Sequence, residues 1–216
     1  MEKDWIKVEN FVSKETINLL YKHALLANER YNFLKTFGIH INIYGSIEDI
    51  QALGDHSCYG DLIFDTLLEE KRSEFESVTD TELVSQYSYY RTYTNGTELK
   101  KHLDRKSCEI SATMCLGYDA DYSWPLWFED REGKNIAVDM SPGDMIVYKG
   151  SELKHWREPF KGNHHSQVFF HYTKKEGENV QKFDNRPHLG LPDSDVLNDW
   201  FANIGDQEYW KMFKNG

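Results

Sequence analysis

A chain of 216 residues that is 39% hydrophobic and 14% aromatic can bury about 70% of its unfolded surface in one substantial core, which excludes a disordered chain. Its net charge of −11 argues against nucleic acid as a partner, because neutralising phosphates needs a basic face. No apolar run approaches a membrane span and no charged-then-apolar leader opens the chain, so a cytoplasmic protein with no membrane partner is expected.

The first predicted helix runs from Ser13 to about Asn28. Ile17, Leu19, Leu20, Ala24, Leu25 and Leu26 recur at helical spacing, Ser13 is placed to cap, and Glu15 suits the positive end of the helix dipole. Thr16 stands where a capping box would have Glu or Gln. Residues 31 to 58 mix aromatics, glycines and polar residues and yield no clear element. From Asp61 to about Val78, Leu62, Ile63, Leu67, Leu68 and Phe75 share one side, with Glu69, Glu70, Lys71 and Arg72 on the other, which predicts a second helix laid against a sheet. Cys58, Cys108 and Cys115 are odd in number and lack metal spacing, so they are read as free, buried thiols.

After Thr81 short β-branched and aromatic runs alternate with turns. Strands are predicted at Leu83 to Thr94, Leu99 to Asp104, Cys108 to Leu116, Leu126 to Phe128, Asn135 to Asp139, Asp144 to Tyr148, Leu153 to Trp156 and Ser166 to Tyr172. Asn95-Gly96, Arg131-Glu132-Gly133, Pro142-Gly143 and Lys161-Gly162-Asn163 supply turns between them. Past Lys174 a polar linker leads to predicted short helices at Ser194 to Asn203 and Gln207 to Phe213, with Trp200, Phe201, Trp210 and Phe213 as their docking residues. The expected architecture is α+β, mainly β with packed helices: a double-stranded β-helix, or jelly roll of the cupin kind, with N-terminal supporting helices. One domain over residues 1–216 is expected, divided into helical support (1–80), β core (81–173) and helical extension (174–216).

Within the core, Lys101-His102-Leu103-Asp104 follows the Asn95-Gly96 hairpin signal. Side chains alternate along a strand, so His102 and Asp104 point to one face. A His-x-Asp pair alone carries little information, since chance supplies roughly one in a chain with nine histidines. His155, on a short strand ahead of Pro159, would complete a two-histidine, one-carboxylate set that leaves positions open on Fe(II). Surface or half-buried histidines with no metal role are the bland alternative.

These motifs together resemble the Fe(II)/2-oxoglutarate oxygenases, most closely the prolyl 4-hydroxylase-like branch. Val8 to Glu15 is similar to that branch's opening strand and first helix, and Tyr93-Thr94-Asn95-Gly96 ahead of His102-Leu103-Asp104 is similar to its tyrosine, glycine, His-x-Asp run. Ser141-Pro142-Gly143-Asp144 through Tyr148, followed by His155 and Pro159, resembles its Gly-Asp strand and distal histidine. The resemblance implies metal ligation by His102, Asp104 and His155, with Fe(II), 2-oxoglutarate and O2 as the working set and L-ascorbate as a compatible reductant. It implies hydroxylation of a C–H bond in a prolyl, peptidyl or free amino-acid substrate with release of succinate. Arg105 or Lys101 is expected to position the Asp104 carboxylate, and Lys100, Lys101 and Arg105 to form a positive spot. Trp124, Trp127, Tyr148 and Trp156 flank the expected pocket mouth, although such residues more often belong to a core.

One departure stands out. Family members usually bind the 2-oxoglutarate 5-carboxylate with Arg or Lys about ten positions after the distal histidine, where this chain has His164-His165-Ser166-Gln167. Alternation from Ser166 turns His164 and Ser166 toward the pocket and His165 and Gln167 away; Tyr93 and Lys161 are further cosubstrate residues. The missing cation keeps two other readings open, a cupin-like metal-binding protein and an inactive family member.

Overall fold

The computed structural model describes residues 1, 3–39, 42–178 and 180–204. A strand β1 (Trp5–Val8) leads into the long helix α1 (Lys14–Thr36). Ser13 caps α1, its hydroxyl accepting the Thr16 amide at 3.2 Å, and Ile17, Leu20, Ala24, Ala27 and Tyr31 form its buried stripe. The helix runs eight residues beyond the predicted end, because Tyr31 continues the stripe. A short 3₁₀ turn and strand β2 (His56–Tyr59) fill the stretch that the sequence left unread. The single helix expected from Asp61 to Val78 is two, α2 (Leu62–Glu70) and α3 (Arg72–Thr79), which meet at Lys71.

The core strands are β3 (Leu83–Thr94), β4 (Leu99–His102), β5 (Ile110–Asp119), β6 (Leu126–Glu129), β7 (Asn135–Val138), β8 (Met145–Tyr148), β9 (His155–Arg157) and β10 (His164–Lys174). They make two antiparallel sheets, ordered β1-β8-β5-β10-β3-β2 and β4-β9-β6-β7. From β3 onward the chain passes between the sheets so that eight strands wind into two four-stranded walls. That is a double-stranded β-helix, with β1 and β2 extending the larger sheet at its two edges. Every core strand falls where the sequence placed one, with ends shifted by up to a few residues.

The larger sheet is buried on both faces. Along β10, Val168, Phe170 and Tyr172 face the helices and pack with Leu20, Phe64, Leu68 and Phe75. Successive side chains alternate, so Gln167, Phe169 and His171 face into the space between the sheets. There Cys115, Leu126, Phe128, Ile146, Tyr148 and Leu153 form a second core, and Tyr93, Trp124 and Phe160 close one end. Helix α1 lies so close to β5 that a Cβ on Gly117 would sit 2.7 Å from the Tyr21 ring.

The segment expected as a polar linker is held down. Arg186 is buried and pairs with buried Asp65 at 2.8 Å, and it donates to the Gln86 carbonyl at 3.1 Å. The other Asp65 oxygen accepts from the amide and hydroxyl of Ser88. Helix α4 (Ser194–Ile204) follows, matching the first C-terminal helix expected; the expected helix at Gln207 to Phe213 lies outside the described residues. The three cysteines are free and buried, and no helix among the described residues is long and apolar enough to cross a membrane.

Phe75, fully buried on α3, packs 4.9 Å from Tyr172 and 5.0 Å from Phe11, ring centre to ring centre. Replacing it with Ala should cost about 3–5 kcal/mol, read as a drop in the urea unfolding midpoint at unchanged slope.

Candidate active site

The smaller sheet sets His102 and His155 side by side, since β4 and β9 pair with these two residues as register partners. Their ring centres are 4.3 Å apart. Strand β4 ends at His102, so Asp104 belongs to the following turn rather than to the strand, and its amide donates to the Gly150 carbonyl at 2.9 Å. Asp104 Oδ1 lies 3.6 Å from His102 Nε2 and 3.4 Å from His155 Nε2. One ligand atom from each of the three residues falls within 4.8 Å of the other two. The sequence-predicted set is thus brought together from three separate segments.

The surroundings aim those atoms. His102 Nδ1 donates to the Lys100 carbonyl at 2.7 Å and His155 Nδ1 to the Leu153 carbonyl at 2.9 Å. With the proton held on Nδ1, each Nε2 turns a free lone pair inward. Ser111 donates to the other Asp104 oxygen, Oδ2, at 2.7 Å, and its hydroxyl also meets His171 Nδ1 at 3.0 Å. Gly150 is required here, because an added Cβ would stand 2.4 Å from Asp104 Oδ2 and 2.2 Å from Ser111 Oγ. A first-row divalent ion fits this donor set, two neutral imidazoles and one carboxylate, better than a hard all-oxygen ion would.

Charge follows position. Burial alone would lift the Asp104 carboxyl, but His102 and His155 outweigh it and hold the group well below its usual range. Burial pulls His102 down, and Asp104 and the Lys100 carbonyl more than reverse this, leaving its pKa raised. Without metal, the His102–Asp104 attraction therefore adds stability that is fully present below pH ~6.5 and lost as pH rises through the raised value.

A cavity of about 370 Å³ opens beside the three residues, between the sheets. Its other wall comes from β3 and β10: Tyr87, Tyr89, Arg91, Phe169 and His171, joined by Tyr59 of β2. Two ion pairs border it. Arg91 pairs with Asp49, which also accepts from Tyr89 at 2.5 Å, and Arg105 pairs with Asp184 at 2.5 Å. Asp184 in turn accepts the Tyr59 hydroxyl at 2.6 Å.

Other expected residues lie elsewhere. His164 faces the helices, its Nε2 2.5 Å from the Tyr21 hydroxyl, and the Ser166 hydroxyl is 3.0 Å from Thr92 on that same side. The inward residues are His165 and Gln167, bonded to each other at 2.8 Å, which reverses the assignment of faces. Lys161 is exposed on its turn and does not line the cavity. Tyr93 does point inward, fully buried, accepting from Arg91 at 3.2 Å. Lys101 pairs with Glu129 and Lys100 with Glu98, so Ser111 rather than a basic residue positions Asp104, and the positive spot is neutralised. Tyr148 lines the cavity, whereas Trp124 is core and Trp127 and Trp156 stack on each other, with Lys101 over Trp156.

Sequence reading missed Arg157. It shares the inward face of β9 with His155, a period-two signal that was available. Only 1% of it is exposed. One terminal nitrogen donates to the Trp124 carbonyl and the other has no partner among the described residues.

No protein-family model matches this sequence, and no curated protein matches it. Solved structures do. A Pseudomonas putida prolyl-4-hydroxylase superposes with a TM-score of 0.58 at 13% identity, over 81% of this chain and 94% of that one. A viral collagen prolyl hydroxylase from Paramecium bursaria Chlorella virus-1, solved with 2-oxoglutarate, gives 0.56 at 11% identity over 79% and 96%. An oxidoreductase of the 2OG-Fe(II) oxygenase family from Burkholderia pseudomallei gives 0.50 at 15% identity over 58% and 68%. The chain has the 2OG-Fe(II) oxygenase fold. Within that fold, the larger sheet and its helices are the scaffold, and the paired strands β4 and β9 carry the histidines.

Two outcomes are expected. Ser111→Ala should weaken Mn(II) binding about 10- to 100-fold by freeing the Asp104 carboxylate, measured by calorimetric titration. Mn(II) must also displace the His102 proton, so apparent affinity should fall as pH is lowered from 8 to 6, with more protons released per ion at the lower pH.

Proposed function

We propose that the chain is an Fe(II)- and 2-oxoglutarate-dependent dioxygenase that hydroxylates a C–H bond, a single domain over residues 1–216 working in the cytosol. The observation that carries this reading is the convergence of His102 Nε2, His155 Nε2 and Asp104 Oδ1 beside an open cavity, each aimed by a bond at its far side. His102, Asp104 and His155 would hold Fe(II) on one side and leave the cavity side free. When bound, Fe(II) and 2-oxoglutarate supply the oxidising power: one oxygen atom of O2 enters succinate as CO2 leaves, and the other enters the substrate C–H bond.

The chain's own residues have narrower tasks. The carbonyls of Lys100 and Leu153 keep both imidazoles in the tautomer that can donate to the ion. Ser111 keeps the second Asp104 oxygen occupied, so that only Oδ1 turns to the metal position. Phe128 and Tyr148 pack against His155 and shield its side of the centre from water. Tyr59, Tyr87, Tyr89 and Phe169 give the cavity flat apolar faces, and the Arg91–Asp49 and Arg105–Asp184 pairs give it both donors and acceptors. A prolyl, peptidyl or free amino-acid substrate suits such walls, having both an aliphatic ring or chain and polar backbone groups.

Adding Fe(II) and then 2-oxoglutarate without oxygen should produce a visible charge-transfer absorption, and Asp104→Ala should abolish it. With oxygen admitted, the intact protein should convert 2-oxoglutarate to succinate. An intact protein that binds Fe(II) and gives neither signal would be a metal-binding module instead.

A further inference from the structure

The interior of the β-helix holds a guanidinium that no carboxylate balances. Arg157 forms no ion pair among the described residues, although it is almost fully buried. Its neighbours are the Trp124 ring, 4.7 Å below the guanidinium carbon, and the Trp124 carbonyl, which takes one nitrogen. The other terminal nitrogen is buried and has no partner among the described residues. Charge buried without a counter-ion is costly, and a fold that retains it has a use for an anion at that place.

The other cations near the centre are already matched. Arg91 has Asp49, Arg105 has Asp184, and Lys161 is out in solvent. His165 occupies the inward position ten residues beyond His155, yet it is buried among Tyr93, Tyr118, Trp124 and Phe160. Its Nε2 is spent on Gln167, and although its Nδ1 has no partner among the described residues, burial keeps the ring neutral, so it offers an anion no charge. Arg157, by contrast, lies on the same face of β9 as His155, two residues and about 6.6 Å along the strand. Arg157 lies just behind the cavity lining: Leu99 stands across from it in the β4–β9 register, and Leu99 lines the cavity together with Tyr148 and His155. An oxo acid held beside His155 would have to extend its tail past Leu99 to meet Arg157.

On the oxygenase reading above, we propose that Arg157 binds the distal carboxylate of the dicarboxylate cosubstrate, so that the cation comes from the strand of the second histidine and not from β10. The fork of two terminal nitrogens matches a carboxylate edge, and Tyr93 stands beside it with a hydroxyl. The assignment also explains why β10 can carry histidine and glutamine at its inward positions: a second cation there would repel Arg157.

Anaerobic calorimetry on the Mn(II)-loaded protein tests this with two ligands, 2-oxoglutarate and 2-oxobutyrate, which share the chelating end and differ in the distal carboxylate. Arg157→Met should weaken 2-oxoglutarate about 100-fold, leave 2-oxobutyrate within about threefold, and leave Mn(II) affinity unchanged. Arg157→Lys, the variant least disturbing to the fold, should fall between. The metal-free Arg157→Met protein should melt no lower than the intact chain, because the substitution removes an unbalanced charge. Unchanged 2-oxoglutarate affinity in both variants, an equal loss for the two ligands, or a loss in Arg91→Met that is absent in Arg157→Met would overturn the assignment. If the intact protein binds Mn(II) but neither oxo acid, the oxygenase reading fails first and takes the assignment with it.

Discussion

The pairing of β4 with β9 is the constraint on which the rest depends. The edge strand of the smaller sheet and its neighbour, both short, meet in a register that puts His102 across from His155. Side chains alternate with a period of two, so a slip of one residue would turn His155 outward and Trp156 inward. The register is fixed from both sides. Phe128 of β6 sits across from His155 on the other flank of β9, and Asp104 is tied to Gly150 immediately after β4 ends. Short strands tolerate this role because the long β3–β10–β5 ladder behind them supplies the stability.

Charge is distributed unevenly across the interior. Around the cavity Arg91 and Arg105 each face an aspartate, so neither brings an unbalanced positive charge to its wall. Deeper in, Arg157 has no ion-pair partner among the described residues, and burial together with its field pushes His165 down to about 3. His171, buried beside Tyr87 and Ser111, is pushed down to about 4, mostly by burial. Both rings are therefore neutral at physiological pH.

Much of this was legible in the residues. The His-x-Asp pair followed by a distant histidine, with turn signals between strands, placed the three converging side chains and all eight core strands. The faces of β10 were not legible, because a strand buried on both sides shows no hydrophobic alternation: Val168, Phe169 and Phe170 run on without a polar break. The break at Lys71 was hidden for a similar reason, since apolar residues continue on one side of both α2 and α3. Asp184 and Arg186 looked like linker residues because their partners, Tyr59, Arg105 and Asp65, lie far away in sequence. Long-range ion pairs leave no local periodicity to read.

The Asp65–Arg186 pair has a consequence for the order in which the protein is made. Strand β10 ends at Lys174, so every strand of both sheets is synthesised before this segment. Asp184 meets Tyr59 and Arg105 on the same stretch, two residues before Arg186 meets Asp65. The Asp184 side of the cavity rim is thus made after all the strands, and a nascent chain can display a finished barrel with an unfinished mouth.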